Sequence, residues 1–154
     1  MKKIGVLSDT HNLLRDPVLD ILKGCDAILH AGDICREDIL DLLRPLGALY
    51  AVRGNNDSGI GKYLSGRLEF DIEGIRFLMV HNRMDIRALP EDTKVVIYGH
   101  THRYAEEWEG GRLYLNPGSC GLGSTPTMAI LEIEKGRLSV RKITLPCGSA
   151  AAQK

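Results

Sequence analysis

Three short apolar runs, Lys3–Ser8, Ala27–His30 and Leu49–Arg53, are each closed by polar turn-forming residues, and segments with helical spacing separate them. Few architectures accept that order. Short apolar runs bounded by turn signals read as buried strands, and strands that alternate with helices imply a parallel sheet with right-handed crossovers, a βαβαβ opening. The first predicted helix carries Leu14, Val18, Leu19, Ile21 and Leu22. Pro17 falls in its first turns, where a missing N–H costs little. The second runs from Glu37 through Ile39, Leu40, Leu42 and Leu43 and stops near Pro45 and Gly47.

The second half is strand-rich: Leu68–Ile72, Arg76–Val80, Val95–Tyr98, Arg103–Trp108, Leu113–Asn116, Met128–Ile133 and Leu138–Ile143. Glu73-Gly74, Glu109-Gly110-Gly111 and Lys135-Gly136 suit hairpin turns between them. An α/β fold of two sheets, a β-sandwich flanked by helices, accommodates both halves. At 154 residues the chain fits one domain, because a second would leave each half with little core. The expected domain is 1–147, with 148–154 a flexible tail.

Hydrophobic residues make up 44% of the chain, yet no apolar run approaches the ~18 residues of a membrane span. The basic, then apolar, start is interrupted by Asp9 and His11 before a signal-peptide core can form. Cys25, Cys35, Cys120 and Cys147 show no C-x-x-C pairing, which fits reduced thiols and a cytoplasmic location. Twenty basic and twenty acidic side chains cancel, so nothing global draws the chain to nucleic acid or an anionic membrane, and any anion site must be local.

Five polar clusters follow strands: Asp9-Thr10-His11, Gly32-Asp33, Gly54-Asn55-Asn56-Asp57, His81, and Gly99-His100-Thr101-His102. In an open α/β sheet the carboxyl ends of the strands converge on one crevice, so these clusters are expected to meet. In extended chain, residues two apart face the same side at roughly 6.5–7 Å, which would let Asp9 with His11, or His100 with His102, reach neighbouring metals. Imidazoles, carboxylates and an amide oxygen suit hard or borderline divalent ions, with manganese the first choice and iron, cobalt, nickel or zinc as alternatives. Two such ions carry four positive charges and Asp9 with Asp33 offset two, leaving room for a hydroxide and an anionic ester. His30 ends a strand and is expected to be a packed neighbour of the site rather than a ligand.

The series D-x-H at Asp9 to His11, G-D at Gly32-Asp33, G-N-x-D at Gly54 to Asp57, His81, and G-H-T-H at Gly99 to His102 resembles the calcineurin-like metallophosphoesterase superfamily. The S-D-T-H start and Asn116-Pro117-Gly118-Ser119 are similar to its small prokaryotic phosphodiesterase branch, itself similar in fold to a eukaryotic retromer scaffold subunit. The resemblance implies two packed sheets flanked by helices and a phosphodiesterase or related phosphoesterase that takes a small phosphate ester. It assigns Asp9, His11 and His102 to one metal, Asn55, His81 and His100 to a second, and the Asp33 carboxylate to both. It further implies that a pair of ions ~3.5–4 Å apart activates a bridging hydroxide for in-line attack on phosphorus. Asp33, His11 and Asp57 are then the residues expected to serve the reaction, Asp57 by orientation only.

Two departures from the family pattern stand out. The third residue of the G-N-H-D/E motif is Asn56 in place of a His thought to protonate the leaving group, and an amide cannot be a general acid. Asn82-Arg83 follows His81 where a Gly often sits, so a side chain there narrows the pocket or brings Arg83 to a phosphate oxygen. Arg53 is either a further substrate contact or a surface arginine. Exposed sheet edges make a homodimer reasonable. The rival to catalysis is an interaction scaffold on the same fold, which could lose His11 or His102 without penalty.

Overall fold

The computed structural model describes residues 1–11, 14–55, 57, 59, 63–121 and 125–145. The strands are β1 (Lys2–Leu7), β2 (Ala27–His30), β3 (Ala48–Ala51), β4 (Arg67–Ile72), β5 (Ile75–Val80), β6 (Thr93–Ile97), β7 (Tyr104–Glu109), β8 (Arg112–Pro117), β9 (Thr127–Glu134) and β10 (Arg137–Thr144). Two helices, α1 (Asp16–Leu22) and α2 (Glu37–Leu43), separate the first three strands. Every strand and helix expected from the sequence is present. Cys147 and the expected tail lie outside the described residues.

The strands form two five-stranded sheets, ordered β10-β9-β1-β2-β3 and β4-β5-β6-β8-β7. The period-2 alternation of side chains sorts the residues into layers. On β1, Ile4 and Val6 join Leu29, Phe77, Met79, Val95, Ile97, Leu115 and Leu131 in a core to which both sheets contribute. Leu7, Ile28, Met128 and Ile130 point the other way, against Val18 and Leu22 of α1 and Ile39, Leu40 and Leu43 of α2. Both helices thus cover the outer face of the first sheet, as right-handed crossovers require when β1, β2 and β3 follow one another in order. The outer face of the second sheet, with Leu78, Val80, Val96 and Tyr98, is packed instead by Ile86 and Leu89 of the loop after β5.

Neither helix has a side-chain hydrogen bond at its N-cap; Asp16 and the pair Glu37 and Asp38 place acidic charge in the first turns, where it complements the helix dipole. With so little local support, seven-residue helices depend on the apolar stripe they bury. No helix among the described residues is long and apolar enough to cross a membrane.

Register positions the site. Parallel pairing aligns Leu7 with His30 and His30 with Ala51. In the second sheet it aligns Met79 with Ile97 and Ile97 with Leu115. The polar clusters follow these residues, so loops from both sheets leave at the carboxyl ends of parallel strands.

Candidate metal centre

Backbone hydrogen bonds draw the loops together. Asp9 N–H donates to the Gly32 carbonyl at 2.9 Å, His11 N–H to that of Asp33 at 3.0 Å, and Gly99 N–H to that of His81 at 2.8 Å. Gly54 lies so close to Asp33 that a Cβ would strike the Asp33 backbone nitrogen and Oδ1. Asp57 is the brace of this region. Its buried carboxylate accepts the N–H groups of Asp33 (2.9 Å), Ile34 (2.8 Å), Cys35 (2.6 Å) and Gly54 (2.8 Å), tying the loop after β2 to the loop after β3.

The donors converge. One donor atom each from Asp9, His11, Asp33 and His102 lies within 4.8 Å of the others. His11 Nε2 is 3.7 Å from Asp9 Oδ1 and 3.4 Å from Asp33 Oδ2, and His102 Nε2 is 3.4 Å from Asp9 Oδ1. His81 Nε2 approaches the same two carboxylates, at 3.8 Å from Asp9 Oδ1 and 3.4 Å from Asp33 Oδ2. The His81 and His100 rings meet edge-on with centroids 5.3 Å apart, as do those of His11 and His102. Asn55 and His100 are exposed and line a cleft beside His81.

These separations are too long for good hydrogen bonds, and Asp9 Oδ1, His11 Nε2 and His81 Nε2 are buried without a hydrogen-bond partner. Buried polar atoms are normally satisfied, so several orphans around the Asp9 and Asp33 carboxylates ask for a missing partner. Neighbouring donors around an ion with bonds of ~2.1 Å stand about 3–3.5 Å apart, close to what is found. The residues therefore fit divalent cations. Burial pushes the Asp9 carboxyl above its ordinary pKa, although the Ser8 hydroxyl, His81, His102 and the His100 N–H all favour its charged form; a bound cation would relieve that cost. His81 Nδ1 lies 2.7 Å from the Ala31 carbonyl and donates to it, which leaves Nε2 as a bare donor.

The spacing rule for extended chain does not hold here. Asp9, His11, Asp33, Cys35, His100 and His102 all have positive φ, from 46° to 75°. The strands have ended by Leu7 and Ile97, and left-handed turns, not alternation along a strand, aim these side chains. Non-glycine residues in this region cost of order 1 kcal/mol or more each and persist where surrounding contacts over-determine them.

A cleft of about 360 Å³ adjoins the His81 side of the site, lined by Arg53, Asn55, His81, Asn82, Asp85 and His100 among others. Arg53 thus reaches the cleft, with one guanidinium nitrogen also donating to the Leu64 carbonyl at 3.3 Å. Arg83 does not: it pairs with Glu107 at 2.7 Å and lies over the Tyr114 ring at 4.3 Å, so Asn82 is the member of the Asn82-Arg83 pair that lines the cleft. Asn56 lies outside the described residues. His30 is a packed residue, with Nδ1 accepting from Gly32 N–H at 3.1 Å and Nε2 3.1 Å from Thr10 Oγ1. Burial drives its pKa down to about 3.

Some supporting residues were not singled out from sequence. Ser8 donates to Asp9 Oδ2 at 2.7 Å, and Asp85 carries an acidic side chain to the cleft. The Asn-Pro-Gly-Ser turn braces the site from behind: Asn116 Nδ2 donates to the Gly99 carbonyl and Thr101 Oγ1, and Ser119 Oγ to the Asp9 carbonyl. That turn was singled out in the sequence as the end of a strand; its polar partners were not.

Two sheets with this site at their strand ends define a metallophosphoesterase-like α/β sandwich. Residues 1–136 match the calcineurin-like phosphoesterase superfamily domain, and the chain belongs to that family. It is similar to a probable metallophosphoesterase of Methanothermobacter thermautotrophicus, at 31% identity over 157 residues and 91% of each chain. Among solved structures it is similar to an archaeal phosphodiesterase, at 28% identity and a TM-score of 0.76 over 93% of this chain and 99% of that one. In fold it is also similar to a Vps29 variant from Entamoeba histolytica, at 23% identity and a TM-score of 0.73 over 94% and 99%.

Proposed function

We propose that the chain is a divalent-metal-dependent phosphodiesterase in which Asp9, His11 and His102 hold one ion, Asn55, His81 and His100 hold a second, and Asp33 touches both. The observation that carries this reading is that Asp9 Oδ1, His11 Nε2 and His81 Nε2 are buried without hydrogen-bond partners while both imidazoles face the Asp9 and Asp33 carboxylates. Similarity to an archaeal phosphodiesterase supports the diester preference. Bound divalent ions would supply a water of lowered pKa and a clamp for the phosphate oxygens, with manganese the first choice.

The chain's own residues supply the positioning. Asp33 joins the two halves of the site, and Asp57 fixes the Asp33 loop through three consecutive N–H groups. Arg53 offers a guanidinium at the cleft wall to an ester oxygen, and Asn55 and Asn82 line the approach. The Asp57 carboxylate is saturated by backbone donors, and Asn56 has no acidic proton. Protonation of the leaving group by this loop is therefore absent from the proposal. Esters whose leaving group departs unprotonated should react fastest. A homodimer through the exposed sheet edges and a cytoplasmic setting complete the reading.

The test is hydrolysis of bis(p-nitrophenyl) phosphate by chelator-stripped protein before and after adding manganese, cobalt, nickel or zinc. Activity should return with metal and fall at least about 100-fold in Asp33→Asn. Inertness with all four metals would favour the interaction scaffold instead.

A further inference from the structure

An imidazole can offer Nε2 to a cation only while its proton sits on Nδ1, and that proton needs an acceptor. At His81 the acceptor is the Ala31 carbonyl. At His11 the atom facing Nδ1 is a sulfur, Cys35 Sγ, 3.8 Å away. We propose that Cys35 is a positioning residue for the site, its sulfur taking the hydrogen bond from His11 Nδ1 and keeping Nε2 bare and aimed at Asp9 and Asp33. The inference rests on the metal-binding reading above and adds to it the group that sets the His11 tautomer.

The geometry around Cys35 gives the contact its force. The residue sits two positions past Asp33 at φ 73°, a conformation with no intrinsic appeal for a cysteine. Its N–H is held by Asp57 Oδ1 at 2.6 Å, so the loop is clamped and Sγ is delivered to the His11 ring. The sulfur, 3.8 Å from Nδ1, is placed to serve as a weak acceptor for its proton.

A competing arrangement lies close by. With its proton on Nε2, His11 could turn that N–H to Asp33 Oδ2, now 3.4 Å away, and the donor atom would be blocked. The sulfur favours the open tautomer; a methyl group in its place would favour the blocked one. An alcohol oxygen, as in serine, would accept the same proton.

Protein labelled with ¹⁵N-histidine and stripped of metal tests the contact by long-range ¹H–¹⁵N spectra at about pH 8.5, where an unperturbed imidazole is neutral. His11 should carry its proton on Nδ1 in the wild type and in Cys35→Ser, and on Nε2 in Cys35→Ala. Titration with Mn²⁺ should give a dissociation constant roughly 10-fold weaker for Cys35→Ala, the low end of the effect of losing such a neighbour. Cys35→Ser should stay within about 2-fold. Cys25→Ala, in a thiol buried against α1, should change neither readout. The proposal is overturned if wild-type His11 is already protonated on Nε2, or if Cys35→Ala keeps both the wild-type tautomer and affinity. The spectra are read without metal, so they judge the Cys35 contact separately. A wild type that shows the Nδ1 tautomer yet binds no Mn²⁺ supports the contact and defeats the metal-binding reading.

Discussion

Asp57 meets four backbone N–H groups with two carboxylate oxygens, all four bonds at 2.6–2.9 Å. An amide has only one acceptor oxygen, and its NH₂ would face donors. Asp57→Asn should therefore destabilise the fold by about 3 kcal/mol or more, read as a lower urea midpoint, because buried donors lose charged acceptors. His30 gives a prediction of opposite pH sense to that of a paired histidine. Its folded pKa of about 3 lies below the unfolded value near 6.5, so the unfolded chain binds the extra proton between those values. Its contribution is fully present above about pH 6.5 and is lost as pH falls toward 3, at about 1.4 kcal/mol per pH unit. In chelator, His30→Gln should flatten the stability profile by that slope between about pH 6.5 and 5. Sequence showed which residues would gather and hid how they would point. Left-handed backbone at Asp9, His11, Asp33, His100 and His102 is imposed by tertiary contacts, because none of these residues is the glycine that would announce it. Of the Asn82-Arg83 pair the sequence could not say which side chain faces the cleft, because Glu107, the partner of Arg83, lies on β7 and no local pattern links the two.

At the level of elements, the order of strands and helices was legible throughout because each carries its own period and its own turn residues. The division of the second-half strands into sheets was less so: β7 is inserted in sequence between the parallel neighbours β6 and β8, yet lies outside them at the sheet edge. The seam between α1 and β1 shows how closely two elements can fit. Gly5 has no side chain, and a Cβ there would strike the Leu22 side chain. Leu22→Ala should cost about 2–5 kcal/mol, and Gly5→Ala about 1–3 kcal/mol from overpacking. In the double variant the new methyl enters the space Leu22 vacates. The summed loss should then fall short of additive by at least about 1 kcal/mol in a double-mutant cycle measured by urea unfolding.

For the molecule as a whole, the loops of the proposed ligands leave two different sheets, with Asp9 and Asp33 on one and His81, His100 and His102 on the other. A cation bound among them would couple the halves of the sandwich. Manganese at 100 times its dissociation constant should raise unfolding stability by about 2.7 kcal/mol, and chelator should reverse the gain. Asp33→Asn should show no such response in the same calorimetric scans. The central place of β1 carries a further meaning for how the chain comes to be folded. β1 pairs on one side with β2, a nearby segment, and on the other with β9, where Ile4 meets Leu131. A growing polypeptide leaving the ribosome can lay down β1 to β3 early, but the other flank of β1 stays bare until Leu131 has emerged. Until then the nascent chain exposes a sticky margin next to Asp9, and a chaperone that shields such margins would have its longest task there.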